Sequence, residues 1–218
     1  LALESSKLFE KIQQDWSLFI YRRTDSTLTV ANELEKTLVY LMAYKELVHE
    51  SIFREQGLII YDIGYKIEDA LLLIVKARST LCLKLDKLTG RDVLEAMLTS
   101  LERFNAYRAH YKSSLTLKNV VEFLIFNPQF PKSLTYIIDS LLKEFKLLPK
   151  AKETLTMYEE VMLEARMILE SVDLDVLLHI KEEEGVYMEL DTILSQLSDL
   201  FLKCSDTFSH TYFSHYDE

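Results

Sequence analysis

Apolar side chains recur every three or four residues along almost the whole chain, and no segment alternates strictly in twos. Helix is therefore the regular structure this pattern supports, and strands are needed nowhere. The punctuation agrees. Four Gly and three Pro in 218 residues make about 3% of the chain, against roughly 12% in ordinary globular proteins. That scarcity argues against turn-rich β-sandwiches, propellers and glycine-loop nucleotide folds. With 49% hydrophobic residues, a chain of this size can bury a substantial core. The expectation is an all-α, single-domain antiparallel helical bundle of about seven to eight helices over residues 1–218, joined by short loops.

The pattern predicts a first helix over Glu4–Arg23 and, after the polar break Arg22-Arg23-Thr24-Asp25-Ser26, a second over Thr27–Ser51. A third pattern runs from Phe53 to about Leu88. Thr89-Gly90-Arg91-Asp92 reads as a break, with glycine suited to close one helix and an acid to open the next. A fourth helix extends to Tyr111, and a short apolar one covers Thr116–Phe126. Pro131, after Asn127-Pro128, suits the first turn of the following helix. Further helices are predicted over Ala151–Ile180 and from Met188 through Phe201, with a tail, Ser209–His215, that frays.

Charge narrows the function. There are 25 basic and 35 acidic residues, a net of −10. An acidic surface repels phosphate backbones and anionic headgroups, and the basic residues are scattered singly, so nucleic acid is not an expected partner. The longest strongly apolar run, Ala70–Val75, is far below the roughly 20 residues a bilayer requires, and Leu1–Lys11 is too charged for a signal peptide. Leu1 in place of Met points to a trimmed or partial chain. Cys82 and Cys204 lie far apart without a metal-ligand spacing, which suits free thiols in a reducing cytoplasm.

Two constellations could carry recognition. In the third helical pattern, Gly57 and Gly64 share a face and would admit a close backbone neighbour. Beside them Arg54, Tyr61, Tyr65, Lys66 and Glu68 give a polar, aromatic stripe, with Arg54 as the fork for a carboxylate or phosphate. The plainer reading is a set of helix-surface pairs such as Asp62 with Lys66. In the second constellation, Tyr107 and Tyr111 share a face with Arg108 beside Tyr111, a possible arginine–aromatic site. The preferred reading makes these tyrosines core residues whose hydroxyls find a polar partner at the edge.

A metal reading fails on ligand count. Glu46 and His49 have the Glu-x-x-His spacing of di-iron bundles, but no second such pair exists, and His179 precedes Glu182 in the reversed order only. No metal and no other cofactor is expected. Phosphate loops, nucleophile elbows and Cys–His pairs are also missing from the sequence.

Three stretches carry a family resemblance. Arg54-Glu55-Gln56-Gly57 with Tyr61-Asp62-Ile63-Gly64-Tyr65-Lys66-Ile67-Glu68-Asp69-Ala70, then Ala106-Tyr107-Arg108-Ala109-His110-Tyr111, then Val121 through Asn127-Pro128 to Leu134 resemble the signature of the α-E family of bacterial helical domains. The signature reads Arg-Asp-x-Gly-Trp, Leu-Gly-Arg-x-Leu-Glu-Arg-Ala, Thr-Tyr-Arg-x-Arg-Tyr and Leu-Leu-x-Asp-x-x-Asn-Pro-Arg-Ser. The resemblance covers roughly Glu46 to Leu148, with looser similarity beyond. The family's N-terminal copy of the Gly-Arg-x-Leu-Glu-Arg-Ala motif is missing, as in a partial chain or a divergent member. Leu58 stands for the signature's Trp, and Tyr65 and Asp69 stand for arginines, so any anion grip those arginines provide is weakened here.

Such proteins are encoded beside, or fused to, circularly permuted ATP-grasp ligases, and beside transglutaminase-like peptidases. The resemblance therefore implies a non-catalytic, cytoplasmic accessory protein that binds an ATP-grasp-type ligase or its peptide substrate. Arg54, Tyr61, Lys66, Glu68, Tyr107, Arg108 and Tyr111 would be the contacts. The alternative is a helical-bundle enzyme with a small-molecule or metal site on the same stripe plus Glu46 and His49.

Overall fold

The computed structural model describes residues 2–22, 26–51, 56–112, 114–149, 154–178 and 185–214. The chain is all-α, with ten α-helices among these residues in place of the expected seven to eight. They are α1 (Ala2–Arg22), α2 (Thr27–Ser51), α3 (Gln56–Thr80), α4 (Lys87–Ser100), α5 (Phe104–Tyr111), α6 (Leu117–Val121), α7 (Leu134–Phe145), α8 (Met157–Ser171), α9 (Leu174–Leu177) and α10 (Met188–Phe213). A π-helical turn, Glu122–Phe126, follows α6 directly. No strand occurs among the described residues; one isolated antiparallel bridge joins Leu83 and Val186.

The residues group into two compact units, Leu1–Tyr61 and Asp62–Glu218. In the first, α1 and α2 pair antiparallel. Phe9 meets the Tyr44 ring edge-on at 5.0 Å, the Tyr40 hydroxyl donates to Asp15 at 3.2 Å, and the Trp16 indole donates to Thr37 at 2.9 Å. Partners later in α1 meet residues earlier in α2. None of the described side chains before Leu58 is fully buried.

The second unit holds the core. On α3 the buried residues Ile63, Ile67, Ala70, Leu73, Ile74 and Ala77 keep the helical spacing of three and four. On α10 Leu190, Leu194, Leu197, Phe201, Cys204 and Phe208 do the same. Helices α7 and α8 run antiparallel, with Asp139 accepting from Arg166 at 2.6 Å and Phe145 packing on Tyr158 at 4.7 Å between ring centroids. Both cysteines are free and buried, and burial pushes each thiol up to about 12.

Helix ends are where the sequence pattern misleads. The third helix stops at Thr80 rather than Leu88, because the Asp86 carboxylate accepts from the backbone N–H groups of Leu88 and Thr89 and caps a new helix there. Gly90 consequently sits inside α4 and closes nothing. The helix expected to reach Tyr111 breaks after Ser100, where Glu102 takes a left-handed backbone (φ 56°). The short apolar helix gives way to the π turn, whose Ile125 carbonyl accepts from the buried Thr135 hydroxyl at 2.8 Å. Pro131 lies in the turn before α7 and Ser133 is the cap, accepting from Tyr136 N–H at 3.1 Å. The helix expected from Ala151 begins only at Met157, behind a capping box of Thr156 and the buried Glu159, and ends at Ser171. The last helix continues to Phe213, through the stretch expected to fray. A Cβ built on Gly57 or Gly64 would meet no described atom within 4 Å beyond its chain neighbours and the adjoining helix backbone, so among the described residues these glycines do not form the expected close-packing groove.

The break before α5 is made by a buried charge. Arg103 is 1% exposed, and its Nη2 donates to both oxygens of Asp69 on α3 at 3.2 Å. Its Nε and Nη1 are buried without a hydrogen-bond partner among the described residues. Burial lowers its pKa, and the nearby Asp69 carboxylate opposes that. A second tie, Arg78 with Asp191 at 2.8 Å, joins α3 to the start of α10.

Removing one partner of a buried pair strands the other charge. Asp69→Ala should cost about 3 kcal/mol in a denaturant titration, while Asp69→Ala/Arg103→Met should recover to within about 1 kcal/mol of wild type. The hydrogen bond from Arg78 holds Asp191 below the usual carboxylate range. Its contribution is therefore present above the unfolded value of about 3.9 and is lost as pH falls through the lower folded value. Melts from pH 6 downward should show a shallower acid loss for Asp191→Asn than for wild type.

Candidate functional site

The stripe on α3 resolves into residues with different duties. Arg54 lies outside the described residues, and Tyr61 falls in the first unit and is partly buried. In the second unit Lys66 pairs with Glu144 of α7 at 2.5 Å, so its charge is committed within the fold. The other Glu144 oxygen is buried without a hydrogen-bond partner among the described residues. Glu68 is exposed. Asp69 is bound to Arg103, as described above.

On α5 the structure brings the tyrosines together. Tyr107 and Tyr111 stack at 5.0 Å with an interplanar angle of 24°, and Phe123 of the π turn meets Tyr107 edge-on at 5.5 Å. Tyr107 is buried, and its hydroxyl donates to the Ser114 carbonyl at 2.6 Å. That is the core tyrosine with a polar partner at its edge. Burial raises its pKa, and burial followed by the nearby Glu122 charge pushes Tyr111 up to about 12. Arg108 does not cover Tyr111 as the spacing suggested. Its guanidinium lies over the Phe104 ring, 5.4 Å from the centroid, because helical side chains lean toward the N-terminus and reach one turn back.

Arg108 also edges a cleft of about 240 Å³ that the sequence did not disclose. Arg91 and Glu95 of α4 form one wall, and Phe104, Tyr107 and Arg108 of α5 the other. Lys112 and Leu115 close it from the chain after α5. Arg91 was legible only as part of a supposed helix break. Among the described residues no group of three or more His, Cys, Asp or Glu is placed to hold a metal. The side chain of His49, and all of His179, lie outside the described residues.

The Alpha-E family, described as a predicted alpha-helical domain with a conserved ER motif, matches residues 4–213. The match is wider than the Glu46–Leu148 stretch that carries the quoted motifs. Uncharacterized proteins of Mycobacterium bovis and of Mycobacterium tuberculosis (strain H37Rv) are each 26% identical over 125 residues. That stretch is 57% of this chain and 14% of each relative, so the chain spans a small part of the curated relatives it matches. No solved structure matches it. Where the resemblance places the signature's Glu-Arg, this chain has Glu68-Asp69. Its one Glu-Arg dipeptide is Glu102-Arg103, and that arginine reaches back to Asp69 across 34 positions.

The Tyr107 hydroxyl anchors the loop after α5. Tyr107→Phe should lower stability by about 1 kcal/mol through that lost hydrogen bond, read as a lower Tm with an unchanged far-UV spectrum.

Proposed function

The chain belongs to the Alpha-E family, and we propose that it is a non-catalytic accessory protein of the cytoplasm that binds an ATP-grasp-type peptide ligase or that ligase's peptide substrate. One observation carries the reading. The matched segment is 14% of each mycobacterial relative, so related sequence makes up a small part of much longer chains, as befits a module that works alongside other domains. The ligase association itself comes from the resemblance.

The surface fits a binding role better at some expected contacts than at others. Glu68 and Arg108 are exposed and are available to a partner. Lys66 and Tyr107 serve the fold through Glu144 and Ser114, and Tyr111 contributes the partly covered face of a stacked ring pair.

The test is equilibrium binding of the purified protein to the ATP-grasp ligase encoded in the same genome, and to that ligase's peptide substrate. Wild type should bind at least one of them saturably. The charge reversals Glu68→Arg and Arg108→Glu should each weaken binding by roughly tenfold or more while leaving the melting curve unchanged. Wild type that melts cooperatively yet binds neither overturns the reading.

A further inference from the structure

The cleft between α4 and α5 adjoins a second of about 240 Å³, and the two share Arg91 and Leu115. The second is lined largely by apolar groups, with Leu83, Leu85, Leu94, Leu117 and Tyr187 among them. Tyr187 is brought there by its backbone N–H, which donates to the Cys82 carbonyl at 2.8 Å. Two adjoining hollows of this size, one apolar and one polar, make a compartment on the scale of small-molecule sites.

The polar hollow is cationic in a protein whose net charge is −10. Arg91, Arg108 and Lys112 line it against a single carboxylate, Glu95. None of the ion pairs among the described residues engages Arg91, Arg108 or Lys112. Elsewhere in the second unit cations are used to tie helices together, as Lys66, Arg78, Arg103 and Arg166 are. Here, among the described residues, three are left out of every ion pair around one concavity, where low-dielectric walls concentrate their field. Arg108 is steadied by the Phe104 ring, which orients the guanidinium, and no ion pair among the described residues engages its N–H fork. Lys112 takes a positive φ (56°, with ψ −110°) at the end of α5, a conformation glycine adopts more readily than other residues. A glycine there would have no side chain to place in the cleft.

We propose that this double cleft binds a small oxyanion, carboxylate or phosphate, carried on an apolar body. The oxyanion lies among Arg91, Arg108 and Lys112, and the apolar body lies against the leucines beyond Arg91. The inference goes beyond the ligase reading and shares only Arg108 with it: it concerns a small molecule, and its test alters Arg91 and Lys112 and uses no protein partner.

Titration calorimetry with N-acetyl-leucine, hexyl phosphate and N-acetyl-leucinamide tests it on the full chain, beside Arg91→Ala and Lys112→Ala. Both altered residues are exposed, and thermal melts establish that the variants fold. The expected result is saturable binding of one or both acids, none of the amide, and at least about tenfold weakening in one or both variants. Which acid binds more tightly distinguishes a carboxylate from a phosphate ligand. Failure of both acids to bind at millimolar concentration overturns the proposal. So does equal binding of the amide, or binding undiminished in both folded variants.

Discussion

A guanidinium taken out of water must be answered by a carboxylate, and the second unit is arranged around one such demand. Arg103 is fully enclosed and meets Asp69 from the side of α3. To bring it inside, the chain interrupts what would have been one helix from α4 to α5, placing Glu102 in the left-handed region. The turn redirects α5, and with it Phe104, Tyr107 and Arg108, so that the cationic hollow exists only because the helix is broken there. A continuous helix through these residues would keep them on a single rod with α4 and leave no facing wall. The ion pair is thus better regarded as a device that fixes direction than as a source of net stability, since buried pairs often fail to offset their own desolvation.

The same pair gives physical sense to a departure from the family signature. Where the resemblance places an arginine, this chain carries Asp69, and the cation comes from Arg103 instead. The position has changed sign and found its counter-charge on another element. A substitution that would weaken an anion grip on α3 is therefore accounted for within the fold, while other arginines, Arg91 and Arg108, face solvent from α4 and α5.

The helical class and the buried faces were legible because they rest on periodicity, which is repeated many times along each helix. Ile63 through Ala77 and Leu190 through Phe208 follow it without exception. Helix boundaries rest on single side chains, and competing signals lie within a few residues of each other. Gly90 and Asp86 are such a pair, and the carboxylate that could reach two backbone N–H groups prevailed. Pro131 and Ser133 are another, decided by a hydroxyl that both caps α7 and donates to the Asn127 carbonyl. Tyr107 was legible as an edge-bonded core tyrosine. Arg103, Arg91 and Lys112 were not, because their importance depends on residues distant in sequence that no local pattern connects.

The hairpin of α1 and α2 has polar and aromatic ties but no fully enclosed side chain among those described, whereas α3 and α10 carry rows of them. Local opening costs little where little apolar surface is exposed by it. Backbone amides of the hairpin will therefore exchange with deuterated solvent through small, frequent openings, and those in the middle of α10 only when the second unit unfolds as a whole. The molecule thus keeps two clocks, and a protease reading the faster one would cut within the first sixty residues long before it reached the core.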